Sequence, residues 1–179
     1  MSDMTFNTTP GSVVERKLLI LYLNTGETAS PVWSPIGKRV EDSSMAFDWG
    51  EESHTDIFGD VWSKMKRPII TQSFDPCELD AADVAQVKLW NQAIRNHDVA
   101  AMTNNDLLVV HAYAGTANTA VFAERYPNSM VKPSGLGGAS DVGMPIDVTF
   151  GGKRSIGTAA IADSKVTFSE EAAAAAATE

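Results

Sequence analysis

Two stretches of this sequence are apolar at successive positions rather than alternate ones: Lys17 to Asn24 (KLLILYLN) and Asp106 to Ala114 (DLLVVHAYA). A strand points successive side chains to opposite faces, so short segments like these must be covered on both sides. The longest apolar run, Leu18 to Leu23, falls far short of the roughly 20 residues that a membrane-spanning helix needs. The two segments are therefore expected to be central strands of a sheet with material on each face.

Other strands are expected around them. Val32 to Ile36 is a short extended piece bracketed by Pro31 and Pro35, and Gly37 turns the chain. Arg39 to Trp49 alternates loosely through Val40, Met45, Phe47 and Trp49. Arg67 to Phe74 regains strand character through Ile69, Ile70, Thr71 and Phe74. Ala120 to Lys132 sets Val121, Ala123 and Arg125 against Phe122, Glu124 and Tyr126. Leu136 to Val142 is glycine-rich. Met144, Ile146, Val148 and Phe150 give the cleanest half-buried strand, and Gly151-Gly152 reads as a hairpin turn into Arg154 to Ile161.

Between Trp49 and Arg67 the chain turns polar, with Gly59-Asp60 near the centre. Glu51 to Lys66 is expected to be a long hairpin whose tip projects from the body. A compact monomer gains little from such a projection, whereas a subunit reaching for a neighbour gains contact. Glu51, Glu52, His54, Asp56, Phe58, Trp62, Lys64 and Lys66 are the candidate inter-subunit residues.

One helix is expected over about 80–97. Asp80 is its anticipated N-cap, Asp83 suits the first turn, and Val87, Trp90 and Ile94 form an apolar stripe that packs on the sheet. Residues 1–16 read as an N-terminal arm without its own core, 17–162 as the β domain, and 163–179 as a flexible Ala-rich tail. The fold class is mainly β (α+β): an antiparallel sandwich or barrel with one flanking helix and extended loop and terminal arms.

Charge narrows the function. The chain has 14 Lys and Arg against 23 Asp and Glu, a net charge of -9. Nucleic-acid binding proteins neutralise phosphates with basic residues, so tight binding of this kind is excluded. An acidic surface repels DNA, which suits a channel that DNA crosses without sticking. The polar Met1 to Gly11 has no basic-then-apolar leader, so the chain is expected to be cytosolic when synthesised.

The inventory for catalysis is thin. Cys77 is the single cysteine, which rules out an internal disulfide, and it reads as a structural thiol. His54, His97 and His111 are far apart and carry no metal-binding spacing, and His111 sits in an apolar strand as a core residue. Ser134 to Gly138 lacks the Lys-Ser/Thr of a phosphate loop, and the acidic pairs Glu41-Asp42 and Glu51-Glu52 read as solvated faces. No catalytic residue, metal or cofactor is expected.

The order of these features resembles the tail tube protein of long, non-contractile-tailed bacteriophages. The strand KLLILYLN leads to PVWSPIGKRVEDSSMAF at Pro31 to Phe47, with W-x-x-I-G-x-R-V at Trp33 to Val40. A polar loop, the helix, the LLVVHAY strand and the Gly-Gly segment follow, so that the likeness spans Lys17 to Ile161. The resemblance implies six subunits per ring, each lending strands to an inner barrel, with rings stacked into a tube through which DNA leaves the virion. It also implies tape-measure, tail-terminator and baseplate or tail-tip partners, assembly in the host cytoplasm, and no membrane. Asp42, Asp48 and Asp147 are the candidate lumen acids. The Ala-rich tail departs from the family. The rival readings are a tail terminator, head–tail connector or decoration protein, and a small-molecule-binding β-barrel.

Overall fold

The computed structural model describes residues 4–40 and 42–171. The chain is mainly antiparallel β with a helical stretch against it. After a 3-10 turn at Arg16–Leu18 come β1 (Leu19–Asn24), β2 (Trp33–Ile36) and β3 (Met45–Asp48). Next are β4 (Glu52–Thr55), β5 (Val61–Lys64) and β6 (Ile69–Phe74). The helices α1 (Val84–Trp90) and α2 (Val99–Thr103) follow, and then β7 (Asn105–Thr116), β8 (Ala120–Pro133), β9 (Ile146–Thr149), β10 (Ser155–Ala162) and β11 (Lys165–Glu170).

The two doubly apolar segments, β1 and β7, lie side by side in antiparallel register, Leu21 opposite Val109 and Leu23 opposite Leu107. Each feeds two cores. Leu21, Leu23, Leu107 and Val109 point one way, while Tyr22, Leu108 and Val110 point the other. The strands β2-β1-β7-β8-β10-β11 curl until β11 meets β2, and Tyr22, Trp33, Val121, Ala123, Ala159 and Val166 fill the inside of that curl. On its outer face a smaller sheet, β3-β6-β9 with Met130–Pro133 of β8, closes over the first core through Ile70, Phe74, Val131, Ile146 and Val148.

Gly151-Gly152 does something other than the expected hairpin turn. β9 and β10 both run antiparallel to β8, pairing with Met130–Pro133 and then with Val121–Arg125, so they form one long strand broken in the middle. The break faces a kink in β8 where Asn128 has φ 55°. Backbones approach so closely there that a Cβ on Gly152, at φ 67°, would lie 2.0 Å from the Pro127 carbonyl oxygen. This glycine pair lets the two strands bend together, and the bend joins the curled sheet to the small one.

Three further expectations are corrected. The helix starts later than expected: Asp83, not Asp80, is the N-cap, accepting from the N–H groups of Ala85 (3.0 Å) and Gln86 (3.2 Å). This shift buries Ala85, Gln86 and Leu89, with Trp90 and Ile94 half-buried and Val87 42% exposed, so Val87 is no packing residue. The helix continues as a π turn over Asn91–Arg95, breaks, and resumes as α2. Second, the start of the expected tail is β11, zipped onto β10 from Ala162↔Lys165 to Gly157↔Glu170; residues 172–179 lie outside the described residues. Third, the N-terminal arm is held by its own chain: Asn7 N donates to Tyr113 O (2.8 Å), Gly115 N donates to Thr5 O (2.9 Å), and Phe6 packs edge-on against Tyr113.

Candidate assembly interface

β4 and β5 form a two-stranded sheet of their own, so Glu51 to Lys66 is the projecting hairpin anticipated from the sequence. One face holds Glu52 opposite Lys64 and His54 opposite Trp62. Glu52 gathers Lys66 Nζ at 2.8 Å, Lys64 Nζ at 3.0 Å and His54 Nε2 at 3.7 Å, and its carboxyl is held below the usual range first by the Lys66 and then the Lys64 contact. The His54 ring stacks on Trp62, and Ser53 and Ser63 share a hydrogen bond across the other face. At the tip, Asp56 Oδ1 accepts from the N–H groups of Phe58 (2.8 Å) and Asp60 (2.9 Å), closing the turn. Glu51 is exposed at the base.

Little of this arm is covered. Ile57 is 94% exposed and Phe58 85% exposed, and Val61, Trp62 and Met65 are exposed too. An isolated hairpin is marginal in water, and this one spends its apolar side chains on solvent rather than on a core. Sequence reasoning singled out Phe58 and Trp62 but missed Ile57, Val61 and Met65; their signal was large apolar residues inside an otherwise polar hairpin.

The small sheet has one buried face and one bare face. Register places Asp48 beside Ile69, Ala46 beside Thr71, Thr71 beside Thr149, and Ser73 and Lys132 beside Asp147, all on the bare side. Ser73 Oγ donates to Asp147 Oδ1 at 2.8 Å. The face is thus set with hydroxyls, two carboxylates and one lysine around Ile69, Ala46 and Met130. Two candidate acids, Asp48 and Asp147, share it; Asp42 is exposed in the segment before β3, off the ladder. Among the described residues β3 pairs only with β6, so its outer edge has no strand partner.

Where β3 leaves the core, a cleft of about 420 Å³ opens, lined by Phe47, Trp49, Arg67, Tyr126, Phe150 and Arg154 among others. Phe47 and Trp49 stack at 6.3 Å and remain 49% and 44% exposed. Behind them Glu124 receives the Tyr126 hydroxyl and Arg154 Nε (3.0 Å), with His111 Nε2 at 3.4 Å. Burial pushes the Glu124 carboxyl up, but these three partners outweigh it and bring it down to about 2. Burial, then the Glu124 contact, pushes the Tyr126 phenol up. His111 is half-buried in this polar cluster, with Nδ1 at 2.8 Å from the Tyr113 hydroxyl, rather than in the apolar core.

Cys77 is buried, and burial pushes its thiol up, the opposite of what a nucleophile needs. Among the described residues no group of three His, Cys, Asp or Glu is placed to hold a metal ion, and no helix is long and apolar enough to cross a membrane.

No protein-family model matches this sequence, and no curated protein is detectably similar to it in sequence. Among solved structures, a chain of the PVC extracellular contractile injection system sheath–tube complex in the extended state overlaps with a TM-score of 0.46 at 11% identity, covering 82% of this chain and 93% of that one. The tube-terminating cap of the anti-feeding prophage overlaps at 0.44 and 16%, covering 85% and 95%. The PVC sheath/tube terminator in the extended state overlaps at 0.46 and 11%, covering 83% and 99%. Likeness at this level assigns no function, which has to come from this chain's own surfaces.

Proposed function

We propose that this chain is a non-enzymatic structural subunit that polymerises with itself into the tube of a phage-like tail, a conduit through which DNA passes without specific binding. The observation that carries the reading is the small sheet. It is buried on one face only; its bare face carries hydroxyls and two acids, Asp48 and Asp147, against one lysine, Lys132, around Ile69, Ala46 and Met130; and it ends on β3, whose outer edge has no strand partner among the described residues. An open edge of this kind is an aggregation liability in a monomer, and pairing with copies of itself into a closed barrel removes it. Closure also turns the bare face inward, so hydroxyls, Asp48 and Asp147 line the lumen, and the net charge of -9 per subunit repels DNA. The hairpin supplies a second contact that ties subunits together.

The likeness in sequence order to long non-contractile tails supplies the finer terms: six subunits per ring, stacked rings, and tape-measure, terminator and tail-tip partners in the virion. Negative-stain microscopy of the purified protein over a concentration series tests the whole. Stacked rings of even pitch and sixfold end views are expected, and tubes without a surrounding sheath in the assembled particle support the non-contractile kind. Single rings that never stack would make the chain a terminator, and a monomer at every concentration would sink the assembly reading.

A further inference from the structure

We infer that the hairpin tip of one copy docks into the Phe47–Trp49 cleft of a second copy, an acidic apolar plug in a basic aromatic socket. This deepens the assembly reading and rests on it. Two apolar patches, one at each end of the arm, stand uncovered among the described residues. One is the tip, where Ile57, Phe58 and Val61 are flanked by Asp56 and Asp60. The other is the cleft, where exposed Phe47 and Trp49 lie beside Arg67 and Arg154. Their charges are opposite. Arg154 is already met by Glu124, which leaves Arg67 as the rim cation without a carboxylate among the described residues. Asp56 Oδ1 is engaged in closing the turn, so Asp60 is the carboxylate offered outward.

The two patches cannot meet within one chain, because the tip stands free of the body while the cleft lies at the base of the same arm. At ~3.3 Å per strand residue the tip stands roughly 25 Å from its own base. The contact is therefore one between copies, plug of one in socket of the next; repeated in one direction it is heterologous and propagates into a ring or a filament. A second groove, beside Leu19, Pro35 and Val40, also has basic neighbours. It is the poorer socket because its apolar members are half-buried at home, although Lys38 there, unlike Arg16 and Lys17, is not committed to the Ser43 and Leu19 carbonyls or to Glu15.

The test uses the full chain and two exposed positions. Asp60→Lys and Arg67→Glu should each raise the concentration needed for assembly at least tenfold, read by analytical ultracentrifugation, with circular dichroism showing both folded. The double variant D60K/R67E should assemble at close to the original concentration, because each copy then carries the reversed pair. Mixing I57S/F58S protein, which has a dead plug, with W49S/R67E protein, which has a dead socket, should give mixed complexes below the concentration at which either component assembles by itself. If the unaltered chain and Arg67→Glu assemble alike, or if Arg16→Glu is the substitution that blocks assembly, the socket assignment is overturned while self-assembly stands. If the unaltered chain stays monomeric throughout, the assembly reading itself fails.

Discussion

Glu124 shows how one buried carboxylate ties distant segments together. Its partners are Tyr126 on its own strand β8, His111 on β7 and Arg154 just before β10, and they hold its carboxyl at about 2 against an ordinary 4.5. A depressed folded-state value means that the unfolded chain takes up the proton first as pH falls. The contribution is therefore complete above about pH 4.5 and is lost as pH drops toward 2; it amounts to about 3 kcal/mol. Glu124→Gln should be less stable than the unaltered protein by about this much at pH 6, with the gap closing toward pH 2 in denaturant midpoints measured across that range. Gly152 is a second residue with a single job. At φ 67° and against the Pro127 carbonyl, Gly152→Ala should cost at least about 2 kcal/mol, read as a fall in the same midpoints. Neither role was legible beforehand. Glu124 and Arg154 are 30 positions apart, and a Gly-Gly between two alternating runs looks like a hairpin turn until both runs are seen to pair with the same strand.

At the scale of elements, legibility followed how local the cause was. β1 and β7 were readable because uninterrupted apolar character has one structural solution, and the hairpin was readable because its turn and cross-strand pairs are encoded within sixteen neighbouring residues (51–66). β11 was not, since KVTFSE buries only Val166 and owes its existence to β10. The helix falls within the expected stretch, but it starts at Val84 behind the Asp83 cap and is rotated from the expected face. Its buried face consists of a small residue, Ala85, an amide, Gln86, and Leu89, and an apolar-stripe argument weights only the last of these. Gln86 earns its place by donating to the Glu78 carbonyl at 3.0 Å and to Cys77 Sγ, which pins the loop before α1. Leu89→Ala should accordingly cost about 2–5 kcal/mol, whereas exposed Val87→Ala should stay within about 0.5 kcal/mol. Chemical denaturation of the two variants separates the faces; equal losses would mean that the helix sits on the sheet as the sequence first suggested.

The whole molecule divides its labour between a closed part and an open part. The curled sheet packs Trp33, Leu108, Val110 and Val121 inside it, its central strands β1 and β7 are covered on both faces, and the N-terminal segment is docked onto it. The open part, β3-β6-β9 with the hairpin, leaves an edge, a bare mixed face and an apolar tip without partners among the described residues. Subunit contacts should therefore form between bodies that are already folded, with only the open part changing its surroundings. The bare face then becomes the inner wall, and its charge can be tested apart from assembly. Asp48 and Asp147 contribute two carboxylates per subunit against Lys132, and their side chains stand away from the core. Asp48→Lys with Asp147→Lys should leave rings and stacking intact but make the wall basic. Tubes of this variant should then retain duplex DNA at low salt and release it as salt rises, the dependence expected when lysines displace phosphate counterions, while unaltered tubes retain none. Retention by both, or by neither, would mean that the acids of this face do not look into the channel.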